Sequence, residues 1–108
     1  MLQNKYQAYK QQSVMTMTQG EMLNTLYDGL LKALYAAKGG LETRDYTVAN
    51  RELIRAQKIL NYLKTTLNHQ YEIANNLEML YNFFLQQIVQ ANVRKSSEHM
   101  DDVIEMVT

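Results

Sequence analysis

Two histidines and no cysteine are what this chain offers to metal or nucleophilic chemistry. Without cysteine there is no thiolate ligand, no thiol nucleophile and no disulfide. An imidazole can still hold a metal or move a proton, but it needs partners at a fixed spacing. Di-metal helical bundles place a glutamate three residues before a histidine. Here position 96, before His99, is serine, and position 66, before His69, is threonine. Both histidines read as isolated surface groups. Neither a glycine-rich phosphate loop nor a Gly-x-Ser-x-Gly elbow occurs. Gly29, alone in Tyr27-Asp28-Gly29-Leu30, reads as a point of close helix packing. These residues predict a protein that is not an enzyme and carries no cofactor and no metal.

The side chains that remain are suited to binding. From Ile73 to Val93 the only charged residue is Glu78, and the positions that a solvated helix would fill with Lys, Glu and Arg hold Asn and Gln instead, Gln87 and Gln90 among them. At 100° per residue Met79 and Phe83 fall side by side, away from the apolar stripe of the same segment. A helix that is apolar or uncharged all round is buried on more than one side, so Met79 and Phe83, with Gln87 and Gln90, are candidate partner-binding residues. Ile54 and Tyr62 lie outside the seam of the preceding helix and give a weaker version of the same signal. Near the start, Tyr6-Gln7-Ala8-Tyr9 sets two tyrosines, each with an apolar body and a polar tip, in a segment too short to fold alone. Tyr6 and Tyr9 are further candidates for docking.

These residues have to be positioned by helices. Proline is absent, and only four glycines occur. Thr18-Gln19-Gly20-Glu21 has the form of a capping box. After it Leu23, Leu26, Tyr27, Leu30, Leu34, Ala37 and Leu41 recur at steps of three and four, predicting helix 1 from Gln19 to Glu42. Gly39-Gly40 is a weak point in that run, each glycine costing about 1 kcal/mol in a helix interior. Thr43-Arg44-Asp45 is the loop. Helix 2 follows with Ala49, Leu53, Ala56, Leu60, Leu63 and Leu67 on its seam and ends near Asn68-His69-Gln70. Helix 3 turns Ile73, Leu77, Leu80, Phe84, Ile88 and Ala91 to the core. Ser96-Ser97 is the expected N-cap of helix 4, which carries Met100, Val103, Ile104 and Val107. Short loops make neighbours antiparallel, so the fold class is all-α: an antiparallel up-down four-helix bundle over residues 18–108, with an irregular N-terminal docking segment over residues 1–17. Helix 4, at roughly twelve residues, rises only about 18 Å, against about 33 Å for a 22-residue helix. More of the same chain, or another chain, has to cover the remainder.

Composition narrows the partners. At 108 residues the chain is the size of one domain. Eleven basic residues balance eleven acidic ones, leaving no excess to displace counterions from nucleic acid or to hold an anionic membrane. The first ten residues lack the apolar core of a signal peptide, and no run approaches the ~18 apolar residues of a membrane span. With cysteine absent, the expectation is a cytoplasmic protein with no membrane insertion.

The chain resembles the FliS flagellar secretion chaperones. The similarity rests on Tyr6-Gln7-Ala8-Tyr9, Met22-Leu23-Asn24-Thr25-Leu26-Tyr27-Asp28-Gly29 and Leu53-Ile54-Arg55-Ala56-Gln57-Lys58-Ile59-Leu60. It continues through Glu72-Ile73-Ala74-Asn75-Asn76-Leu77, then Leu80-Tyr81 and Val89-Gln90-Ala91-Asn92-Val93, in the family's order and spacing. Gln19 stands where the family usually has proline, and the family's C-terminal continuation does not follow Thr108. The resemblance implies a bundle that holds the C-terminal helices of flagellin in the cytosol, blocks premature polymerisation and delivers its client to the type III export gate. It also implies that Tyr6 and Tyr9 belong to the family's N-terminal substrate-binding motif. The alternative from the residues alone is a structural module that forms a homo-oligomer through helix 3 and has no export client.

Overall fold

The computed structural model describes residues 18–108, and within them four helices: α1 (Gln19–Glu42), α2 (Tyr46–Thr65), α3 (Glu72–Arg94) and α4 (Met100–Val107). Tyr6 and Tyr9, with the docking segment expected over residues 1–17, lie outside the described residues.

Each boundary has a local cause. Thr18 is extended, its hydroxyl accepts the Glu21 amide at 3.2 Å, and the Glu21 carboxylate accepts the Thr18 amide at 3.2 Å, so the predicted capping box starts α1. Thr18→Ala should cost about 1 kcal/mol in chemical denaturation, and Thr18→Ser should restore most of it. At the other end Arg44 takes a left-handed φ of 62°, which lets the Asp45 amide reach the Gly40 carbonyl at 2.8 Å and the Arg44 amide reach that of Leu41 at 3.3 Å. These bonds satisfy carbonyls that the helix end would leave bare. Asp45 then caps α2 by accepting the Val48 amide at 3.3 Å.

Three cross-helix contacts fix the packing. Lys38, late in α1, pairs with Asp101 at the start of α4. Asn92, late in α3, donates to Asn50 early in α2 at 2.9 Å. Tyr27 of α1 meets Tyr81 of α3 through their hydroxyls. Late-to-early pairing makes α1 and α4, and α2 and α3, antiparallel. α1 packs along α2, α2 along α3, and α4 lies against both α1 and α3. The core between them is buried and apolar: Leu30 and Leu34 from α1, Leu53 and Leu60 from α2, Phe84 and Ile88 from α3, Met100 and Val103 from α4. Gly29 brings α1 close to α2, as expected, since a Cβ there would lie 3.5 Å from the Ile59 side chain.

Several expectations need correction. α2 stops at Thr65, with Thr66 as its C-cap, short of Asn68. Ser96 and Ser97 do not cap α4: Ser96 accepts the Glu98 amide at 3.2 Å and shapes a turn, and the helix begins only at Met100. α4 is therefore eight residues rather than twelve, about 12 Å long, where the 24 residues of α1 run about 36 Å. Ile73, placed on the core face by its spacing, is 66 % exposed. It stands in the first turn of α3, far from the end where α4 packs, so no helix lies opposite to bury it.

Candidate functional site

Where α4 stops, α1 and α3 continue, and the apolar faces they turn toward the bundle axis are left half-buried. Beside the end of α4 there is a cavity of about 600 Å³, bounded by Leu31 and Asp28 of α1, Leu80 and Phe84 of α3, and Met106 and Val107 of α4. A second cavity of about 450 Å³ follows, with Leu23 and Leu26 on one wall, Ile73 and Leu77 on the other, and Tyr62 and Leu67 at the end of α2. Tyr27 and Tyr81 line both, so the two cavities are successive stretches of one groove between α1 and α3. Asp28 is the only charged side chain along it. Along α3 the lining runs from Ile73 to Phe84, about 16 Å, or three turns of helix.

The loop between α2 and α3 closes the far end. His69 is held on both ring nitrogens, Nε2 lying 3.2 Å from Glu78 and Nδ1 lying 3.1 Å from Asn75, while the Asn68 side chain accepts the Gln70 amide at 3.0 Å. This clamp sets Leu67 and Tyr71 against the groove and gives the single charge of α3 a structural task. In the middle of the groove Tyr27 and Tyr81 share a hydrogen bond. Tyr81 is 3 % exposed, and burial first, then the bond to Tyr27, pushes its phenol well above the ordinary range. The pair is therefore neutral. An apolar trough with one neutral polar pair can take up a helix through its side chains, but it has no group placed to act as acid, base or nucleophile.

The residues singled out from the sequence come together only in part. Met79 is 72 % exposed and Phe83 is 43 % exposed; with Asn76, Leu80 and Met106 they form a shallow open depression on the outer side of α3 and α4. Leu80 and Met106 also line the groove, so the two surfaces adjoin. Gln87 and Gln90 lie elsewhere, in a small hollow with Arg94 and His99. Ile54, 39 % exposed on α2, lines none of these. The groove itself was missed, because Leu23, Leu26, Tyr27, Leu77 and Leu80 obey the core period and were assigned to a full core. The length of helix 4 was the signal that part of that stripe would lack a cover.

Fold and site together define a class: a small all-α bundle whose last helix leaves an apolar, nearly charge-free groove between two longer ones. The family model described as "Flagellar protein FliS" matches residues 2–108. The flagellar secretion chaperone FliS of Bacillus subtilis is 36 % identical over 107 residues, covering 99 % of this chain and 80 % of its own length. Its namesake in Vibrio cholerae is 30 % identical over 112 residues, 98 % of this chain and 82 % of the relative. That of Salmonella typhimurium is 32 % identical over 94 residues, 84 % and 70 % of the two chains. The chain belongs to the FliS family of flagellar secretion chaperones. This is a family of chaperones and not of enzymes, and among the described residues no helix is long and apolar enough to cross a membrane.

Proposed function

We propose that this protein holds the C-terminal helical segment of flagellin in the cytoplasm, keeps it from polymerising and assists its delivery to the flagellar type III export apparatus. The observation that carries the reading is the groove. It is apolar, it bears one charged side chain, and its length suits a client helix of about eleven residues at 1.5 Å each. A helix laid there would take the place that a longer fourth helix would occupy, with its own apolar stripe facing Leu26, Leu77 and Phe84. The depression around Met79 and Phe83 adjoins the groove at Leu80 and Met106, so a client leaving the groove has a second apolar surface to follow.

A long contact is what such a client requires. A segment disordered before binding loses conformational entropy on docking, and only extended apolar burial offsets that loss. Tyr6 and Tyr9 are proposed as further anchors within a docking segment over residues 1–17, with Ile54, Gln87 and Gln90 as outlying contacts on the path of the wrapped client. Titration with a peptide of the flagellin C-terminal region should give saturable binding with a gain of helical circular dichroism. The absence of binding at tens of micromolar would overturn the proposal.

A further inference from the structure

We propose that the Tyr27–Tyr81 hydroxyl pair reads a single uncharged polar residue on the apolar stripe of the bound helix, and so fixes the register in which that helix lies. The inference rests on the groove being the seat of a client helix and adds what selects that helix's position.

The two rings stand where the two cavities meet, in the middle of the groove. Each other polar side chain of the lower cavity is placed at its rim or already engaged. Tyr62 and Tyr71 are exposed, Thr66 donates to the Leu63 carbonyl at 2.7 Å, and Asn68 accepts from the loop. In a hydroxyl pair one group donates and the other accepts. The acceptor keeps its own proton, and lone pairs remain on both oxygens. While the groove is open, water can meet that remaining capacity. A helix lying over the pair excludes the water, and an unmet buried O–H then costs more than a hydrogen bond contributes. A leucine above the pair leaves it unmet; a serine, threonine, asparagine or glutamine satisfies it.

Charge is not a substitute. An acidic client residue would find no cation along the groove, where Asp28 is the only charged side chain, and a basic one placed at the pair would be desolvated without a carboxylate beside it. The raised phenol of Tyr81 keeps the pair itself neutral. Everywhere else the groove is uniform to a sliding apolar stripe. One polar position in an apolar seam is the device by which coiled coils fix register, at a cost in stability.

The competing account is that the pair only ties α1 to α3. Both accounts allow Tyr→Phe to change stability, but only register reading makes the effect depend on one client residue. The test is a double-mutant cycle. The uncharged polar residues on the stripe of a flagellin C-terminal peptide are replaced by leucine one at a time. Each peptide is titrated into the parent chain and into Tyr27→Phe/Tyr81→Phe, which removes both hydroxyls and orphans neither. At one position the leucine replacement should weaken binding to the parent about ten-fold and be neutral or favourable with the double variant. If the double variant fails to fold, Tyr27→Phe alone supplies the comparison, since Tyr27 is only half-buried. The same loss in both backgrounds at every position overturns the inference, as does a stripe with no uncharged polar residue opposite the pair. A parent chain that binds no flagellin peptide overturns the client reading itself, and this inference with it.

Discussion

Gly40→Ala should destabilise the bundle by about 2 kcal/mol, while the same replacement one residue earlier, Gly39→Ala, should stabilise it by about 0.5–1 kcal/mol. The two glycines are neighbours in one helix, and by intrinsic propensity both replacements would help. Tertiary packing separates them. A Cβ on Gly40 would lie 2.9 Å from the Ala49 amide nitrogen, 3.0 Å from the Asp45 carbonyl oxygen and 3.2 Å from the Ala49 Cα. All three are backbone atoms in the first turn of α2, and none can rotate aside. The corner between α1 and α2 would have to open, straining the Asp45-to-Gly40 hydrogen bond of 2.8 Å that closes it. A Cβ on Gly39 meets nothing within 4 Å and simply gains the entropic advantage of alanine. Thermal unfolding separates the pair readily, because each 1 kcal/mol moves the midpoint of a domain this size by about 4–8 °C. Changes of the same sign would mean that this corner is not held by close backbone approach.

The same glycines show where sequence reading succeeds and where it stops. Gly39-Gly40 was legible as a weak point in helix 1, because helix propensity is a local property. That α1 continues through both, and needs the second, follows from a contact with a helix nine residues further on, which no local pattern encodes. The α1–α2 loop was legible because Asp45 is a capping residue followed by a clear seam. The start of α4 was misread because Ser96 has the chemistry of a cap and uses it on a turn instead. Periodicity correctly turned Met79 and Phe83 away from the core. It could not reveal the groove, because the period of Leu23, Leu26, Leu77 and Leu80 states which face points inward and not whether a fourth wall reaches that far. Only the length of α4, set against the 24 residues of α1, carried that information.

Ile73→Glu should weaken flagellin binding by about 2–3 kcal/mol, a factor near one hundred, and leave folding intact. Ile73 lines the far stretch of the groove yet is 66 % exposed, so little apolar burial is lost from the free bundle when it is replaced. In the complex the same position is covered by the client. A carboxylate there would be desolvated with no cation among the groove-lining side chains to pair with it. Phe83→Glu puts the same charge on the adjoining outer depression, where the surface is open and water still reaches the carboxylate. Its effect on a helix seated in the groove should be several-fold smaller. Under the homo-oligomer alternative the order reverses: Phe83→Glu would dissociate a stable oligomer, and flagellin peptide would not bind at all.

The most direct measurement is therefore a side-by-side titration of the parent chain, Ile73→Glu and Phe83→Glu with one flagellin C-terminal peptide, each chain first shown to be folded by circular dichroism. The groove account predicts saturable binding by the parent, near-abolished binding by Ile73→Glu and a modest loss with Phe83→Glu. Unaltered binding by Ile73→Glu would contradict it.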